Sequence, residues 1–123
     1  MPNKTRGQLE AEFTNAVIKF EKEYLGRGPL EARTFLINDM ILVRIRGVLT
    51  PAEMKLAENR EGQILVKETR RQLFETSRLL LDEIVRETLG CDTISLHTDM
   101  STVTGERVVV ITVDVDLNKK FGF

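Results

Sequence analysis

A histidine and a carboxylate two residues apart, His97-x-Asp99, come nearest in this sequence to a catalytic or metal-binding pair. On an extended strand both side chains project from one face, where they would act as two metal ligands or as a base with its orienter. That chemistry needs more than the pair supplies. No third ligand stands at a recognisable spacing, and His97 is the only histidine in the chain. A solvated or hydrogen-bonded pair is the expectation.

Other short motifs carry less. The segment from Asp99 to Glu106 has the outline of a calcium loop, but Val103 occupies a position that should offer oxygen. Gly26-Arg27-Gly28-Pro29 follows a helical pattern and enters a strand, the reverse of a phosphate-cradling loop, and reads as a helix stop. Cys91 stands alone, so it cannot form an internal disulfide and is expected to be a buried or inert thiol. Ser77, Ser95 and Ser101 lack the strand-to-helix elbow that activates a nucleophile. No catalytic, cofactor-binding or metal-ligating residue is assigned, no cofactor is expected, and an enzyme is not.

The arginines are the stronger feature. Arg33, Arg44 and Arg46 fall on one face of a hairpin beside Phe35, Ile37, Met40 and Leu42. Like charges facing each other across strands repel, so something must offset them. Either Asp99 or Asp114 of a second hairpin, or water, does this, or an acidic partner or anion does. The candidate interaction face is Arg33, Phe35, Leu42, Arg44, Arg46, His97 and Asp99.

These residues need elements to hold them. Leu9, Phe13, Ala16, Val17, Phe20 and Tyr24 recur at helical spacing, capped by Thr5 or Asn3. Alternating apolar residues flank Asn38-Asp39, a pair that tolerates the positive φ of a two-residue hairpin turn. That register places Ile37 opposite Met40, Phe35 opposite Leu42 and Arg33 opposite Arg44. Thr50-Pro51-Ala52-Glu53 then spells an N-cap, a first-turn proline and a capping-box glutamate, starting a short helix to about Asn59.

A long helix is predicted from about Glu61 to Leu89, with Leu65, Thr69, Leu73, Thr76, Leu80 and Ile84 as its buried stripe. Val66, Leu81 and Val85 widen that stripe, and Arg71–Glu75, Arg78–Asp82 and Asp82–Arg86 pair on its outer face. Thr93–Ser101 and Arg107–Asp116 alternate as a second hairpin around Gly105, and residues 117–123 read as an aperiodic, flexible tail.

The order αββαββ predicts an α+β domain of two layers, a four-stranded antiparallel sheet with two long helices on one face. Leu36, Ile41, Val43, Ile45, Ile94, Leu96, Val109, Ile111 and Val113 should form the core beneath those helices. The opposite face, with Phe35, Ile37, Met40, Leu42, Val108 and Val110, is too apolar to stay bare, which points to a homo-oligomer, with a dimer favoured.

The chain's 123 residues are one domain's worth, expected to be ordered from about 6 to 116. A hydrophobic share of 41% and a charged share of 30% fit a globular protein, not a disordered one. Net charge −1 lacks the basic footprint of a nucleic-acid binder. No apolar run reaches the ~20 residues of a membrane span, so no direct membrane insertion is expected. The N-terminus has no apolar signal core, so a cytoplasmic chain is expected.

Taken together, KFEKEYLGRGP from Lys19, VRIRGVLTPAE from Val43, GQILVKETRRQL from Gly62 and TGERVVV from Thr104 resemble a known family. It is the family of the C component of the Mps system, a sodium-translocating, membrane-potential-generating system. The similarity runs from the first helix to about Asp116 and brings no site residue with it. It implies a cytoplasmic accessory protein linked to membrane ion or bicarbonate transport, acting through membrane transport proteins as partners. An anion- or small-molecule-binding regulatory domain is the alternative.

Overall fold

The computed structural model describes residues 4–26 and 28–123; Asn3, one of the two proposed caps, and Arg27 lie outside them. Helix α1 (Arg6–Tyr24) starts at Thr5, whose hydroxyl accepts from the Gln8 amide while the Gln8 side chain accepts from the Thr5 amide. It buries Leu9, Phe13, Val17 and Phe20, as its spacing predicts, and also Glu21, which the spacing does not.

Strands β1 (Glu31–Ile37) and β2 (Met40–Arg46) form the first hairpin in the predicted register, Ile37 opposite Met40, Phe35 opposite Leu42 and Arg33 opposite Arg44. Asn38 sits at φ 53°, the left-handed conformation that its short amide side chain tolerates. Helix α2 (Pro51–Leu56) carries the expected capping box between Thr50 and Glu53. It ends three residues earlier than predicted, because Asn59 caps the next helix by accepting from the Gly62 amide.

The predicted long helix is two: α3 (Arg60–Thr76) and α4 (Arg78–Leu89), broken at Ser77. The Ser77 amide reaches both Leu73 and Phe74 carbonyls, a tightened last turn that ends the first helix. The buried stripe of α3 also differs from expectation. Val66, Arg70 and Phe74 are buried, whereas Leu65 and Leu73 are exposed. The shift is one residue, a rotation of about 100°, and its cause is Arg70, whose bonds to neighbouring elements hold that side inward. On α4 the buried line is Leu81, Val85 and Leu89. The expected i, i+4 ion pairs do not form: Arg71 binds Glu68, Arg78 lies beside Glu75, and Arg86 binds Asp92.

Strands β3 (Thr93–Met100) and β4 (Arg107–Val113) complete a sheet of order β1-β2-β4-β3, antiparallel throughout. This is the two-layer α+β architecture, with the helices on one face. Leu36, Ile41, Val43, Ile45, Val109, Ile111 and Val113 are buried beneath them. Ile94 is not a core residue: it is 66% exposed. A bulge between Thr93 and Ser95 makes it the extra residue, so strict alternation fails there. Leu96 is only half-buried.

The segment read as an aperiodic tail contains a fifth helix, α5 (Leu117–Phe121), capped by Asp116, with Leu117 fully buried. Its first amide donates to the Asn38 carbonyl, so it clasps the first turn. Among the described residues no helix is long and apolar enough to cross a membrane.

Candidate interaction face

Strand parity sends Arg33, Phe35, Ile37, Met40, Leu42, Arg44, Arg46, Val108 and Val110 away from the helices, together with His97 and Asp99. Leu42 lies between Phe35 and Val110, and His97 is opposite Val110 across the last strand pair. These positions are half-buried or exposed, while Ile41, Val43, Ile45, Val109 and Ile111, which alternate with them on β2 and β4, are buried. The structure therefore gathers all seven predicted residues on one sheet face.

The arginines are offset within the chain, but not by the acids expected. Arg44 forks onto Glu106, Nε to Oε1 at 2.9 Å and Nη2 to Oε2 at 3.1 Å. Hydrogen bonding from Arg44 holds the Glu106 carboxyl below its ordinary range, and raises the guanidinium in turn. Arg46 stands 3.6 Å from Glu31. Arg33 has no ion pair among the described residues; its guanidinium lies 5.0 Å from the centre of the Phe35 ring. Together Glu31, Arg33, Phe35, Arg44 and Arg46 surround a small depression of about 130 Å³.

Asp99 and Asp114 serve elsewhere. Asp99 accepts from the Met100 amide and faces Lys67 of α3 at 3.2 Å; in that order, the two hold its carboxyl below the ordinary range. Asp114 accepts from the Asp92 amide. His97 bonds to the Ser95 hydroxyl, so His97 and Asp99 share a face without forming a pair. Cys91 is buried, and burial pushes its thiol up. Among the described residues no three of His, Cys, Asp and Glu converge to hold a metal ion.

On the other side of the sheet lies a buried charge cluster that sequence reasoning missed. Arg70 donates from Nε to Glu53 Oε2 at 2.7 Å, from Nη1 to the Leu25 carbonyl at 3.1 Å, and from Nη2 to the Val48 carbonyl at 2.8 Å and to Glu53 Oε1 at 2.5 Å. One guanidinium thus ties α3 to α2, the end of α1 and the loop after β2. Burial works against the Glu53 charge, but the Arg70 bonds and the Thr50 amide outweigh it and lower the carboxyl.

Arg107 donates from Nη1 to Thr98 and lies 4.8 Å from the Phe74 ring centre. Glu21 is 1% exposed with neither oxygen hydrogen-bonded. Burial raises its carboxyl, opposed by the charges of Arg107 and Arg70. Arg107 also lines a groove of about 370 Å³ between α3 and β3, whose walls include Ile64, Lys67, Arg71 and Met100. The available signal was spacing: Arg70 falls four residues from both Val66 and Phe74, and Glu21 four from both Val17 and Leu25.

Comparison with known proteins adds a family. A family model described as "Na+-translocating membrane potential-generating system (MpsC)" matches residues 5–115. YbcI, an uncharacterized protein of Bacillus subtilis (strain 168), is 40% identical over 116 residues, covering 94% of each chain. YrhF, another uncharacterized protein of that organism, is 24% identical over 110 residues, covering 89% of this chain and 90% of YrhF. No solved structure matches.

Proposed function

The chain belongs to the family of the Na+-translocating membrane potential-generating system, MpsC, and from that premise we propose that it is an accessory protein that binds other proteins of a membrane ion or bicarbonate transport system. In this role it stays in the cytoplasm, reaches the membrane through its partner, and has no catalytic step of its own. One observation carries the reading. The sheet face centred on Phe35, Leu42 and Val110 has apolar residues where a solvated face would alternate to polar ones, and the chain's own helices lie on the other side. An apolar centre with a margin of arginine and carboxylate has the composition of a protein-binding surface.

The test is capture of the tagged protein from native cells, with membranes solubilised in detergent, comparing wild type with Leu42→Glu. Wild type should enrich an integral membrane transport protein, and the variant should lose at least ~90% of it, as expected for a charge placed at an interface centre. Identical partners for both proteins, or no membrane protein with either, would remove this function.

A second reading rests on Arg107. Its guanidinium is buried, makes its described hydrogen bond to Thr98 alone, and borders the groove between α3 and β3. We propose as the alternative that this groove takes a small molecule with an anionic group, making the protein a regulatory domain. A melting-temperature screen of small carboxylates and phosphates tests it. A rise that Arg107→Lys abolishes supports this reading, and a flat screen removes it.

A further inference from the structure

We propose that the uncovered sheet face binds a second copy of this chain, two-fold related, so that the basic end of each face covers the acidic end of the other. This rests on the reading above that the face binds protein, and names a second copy as what covers it, so that a transport protein binds the dimer rather than this face. The argument begins with charge. At one end, Arg33, Arg44 and Arg46 with Glu31 and Phe35 surround a depression whose charges sum to +2. Glu106 engages Arg44 there and Glu31 lies beside Arg46, which leaves Arg33 as the cation without an acid among the described residues. At the other end, the turn after β1 and the residues after β4 surround a second depression, lined by Asn38, Asp39, Val113, Asp114, Val115 and Asp116. Its charged residues are all acidic.

The two ends are separated along the strands. From Arg33 to the turn at Asn38-Asp39 is five steps along the strand, about 17 Å at about 3.4 Å per residue. The midpoint falls near Leu36, level with the face positions Phe35, Ile37, Met40 and Leu42. A two-fold axis through the apolar centre would therefore carry each basic depression onto the partner's acidic one, and it would do so twice. That self-complementarity is what a closed, isologous dimer requires. An unrelated partner would need the opposite pattern by coincidence. The apolar centre supplies the burial, and Arg33 opposite Asp39 and Asp114 supplies orientation. The face is small: four strands about 4.8 Å apart and seven residues long make about 19 by 24 Å. Association should therefore be reversible and visible in dilution.

Sedimentation velocity over a dilution series tests this, with circular dichroism to check that each variant is folded. Wild type should shift from dimer to monomer on dilution. Leu42→Glu should be monomeric throughout, and Arg33→Asp or Asp39→Arg alone should weaken association at least tenfold. Arg33→Asp combined with Asp39→Arg in one chain should recover most of that loss, which a merely disturbed fold would not. A wild type that is monomeric at every concentration overturns the proposal. So does a dimer indifferent to Leu42 and Arg33, because it must use another face. If wild type is monomeric while Leu42→Glu still loses the captured membrane protein, self-association falls and the accessory reading stands. If the dimer behaves as expected but capture is unchanged by Leu42→Glu, the dimer stands and that reading falls.

Discussion

Glu21 is the least comfortable residue in the molecule. A carboxylate with both oxygens buried and unbonded is costly, and the nearby Arg107 and Arg70 charges recover only part of that cost. Its folded-state pKa lies above its unfolded one, so the folded chain takes up a proton more readily. Its contribution to stability is therefore fully present below the ordinary carboxylate range and is lost as pH rises through the raised value. Glu21→Gln removes that dependence. Denaturant titrations from acid to neutral pH should show the variant gaining on wild type as pH rises, and a constant difference would mean that Glu21 titrates alike in the folded and unfolded chain.

Arg70 is the contrasting case, with its guanidinium engaged by a carboxylate and two carbonyls. Removing it leaves those acceptors behind, so Arg70→Ala should cost about 3–5 kcal/mol in denaturant unfolding. Neither residue was legible as buried, because charge argues for the surface and only tertiary partners overrule it.

Among the elements, the first hairpin could be read residue by residue because Asn38-Asp39 specifies both turn and register. The second could not. Its bulge at Ile94 has no signature in the alternation, and it puts Thr93 and Ile94 out of step with the rest of β3. Helix α3 failed in another way. Its sequence offers two adjacent stripes, Leu65-Thr69-Leu73 and Val66-Arg70-Phe74, and the one containing an arginine is buried because Arg70 meets acceptors that lie far off in sequence. The seven face residues were found because they depend on hairpin parity, whereas Glu106, the acid that engages Arg44, sits in the loop before β4, which parity does not reach.

The junction of α2 and α3 gives a prediction at this scale. A Cβ on Gly62 would lie 1.6 Å from the Leu56 carbonyl oxygen, so the two helices meet only because position 62 has no side chain. Gly62→Ala should push the start of α3 away from α2 and cost about 1–3 kcal/mol, read as a lowered denaturation midpoint with an unchanged slope.

At the scale of the whole molecule, one sheet separates two environments, and strand β2 crosses from one to the other at every residue. Ile41 is fully buried between sheet and helices, while Leu42, next in the chain, faces outward at half burial. Ile41→Ala removes packed methyl groups from a core that α1 closes, and should cost about 2–5 kcal/mol. Leu42→Ala removes a side chain with solvent on one side, and should cost within about 1 kcal/mol in the monomer. The difference grows if the outer face is covered. At concentrations where copies associate, Leu42→Ala should lower the melting temperature more than it does in dilute solution, because a partner that binds only the folded form adds stability by mass action. Ile41→Ala should lower it equally at both. Melting curves for wild type and both variants at low and high protein concentration separate the cases. A Leu42→Ala loss as large as that of Ile41→Ala in dilute solution would place Leu42 in the intrachain core, and the two-environment description of the sheet would fail with it.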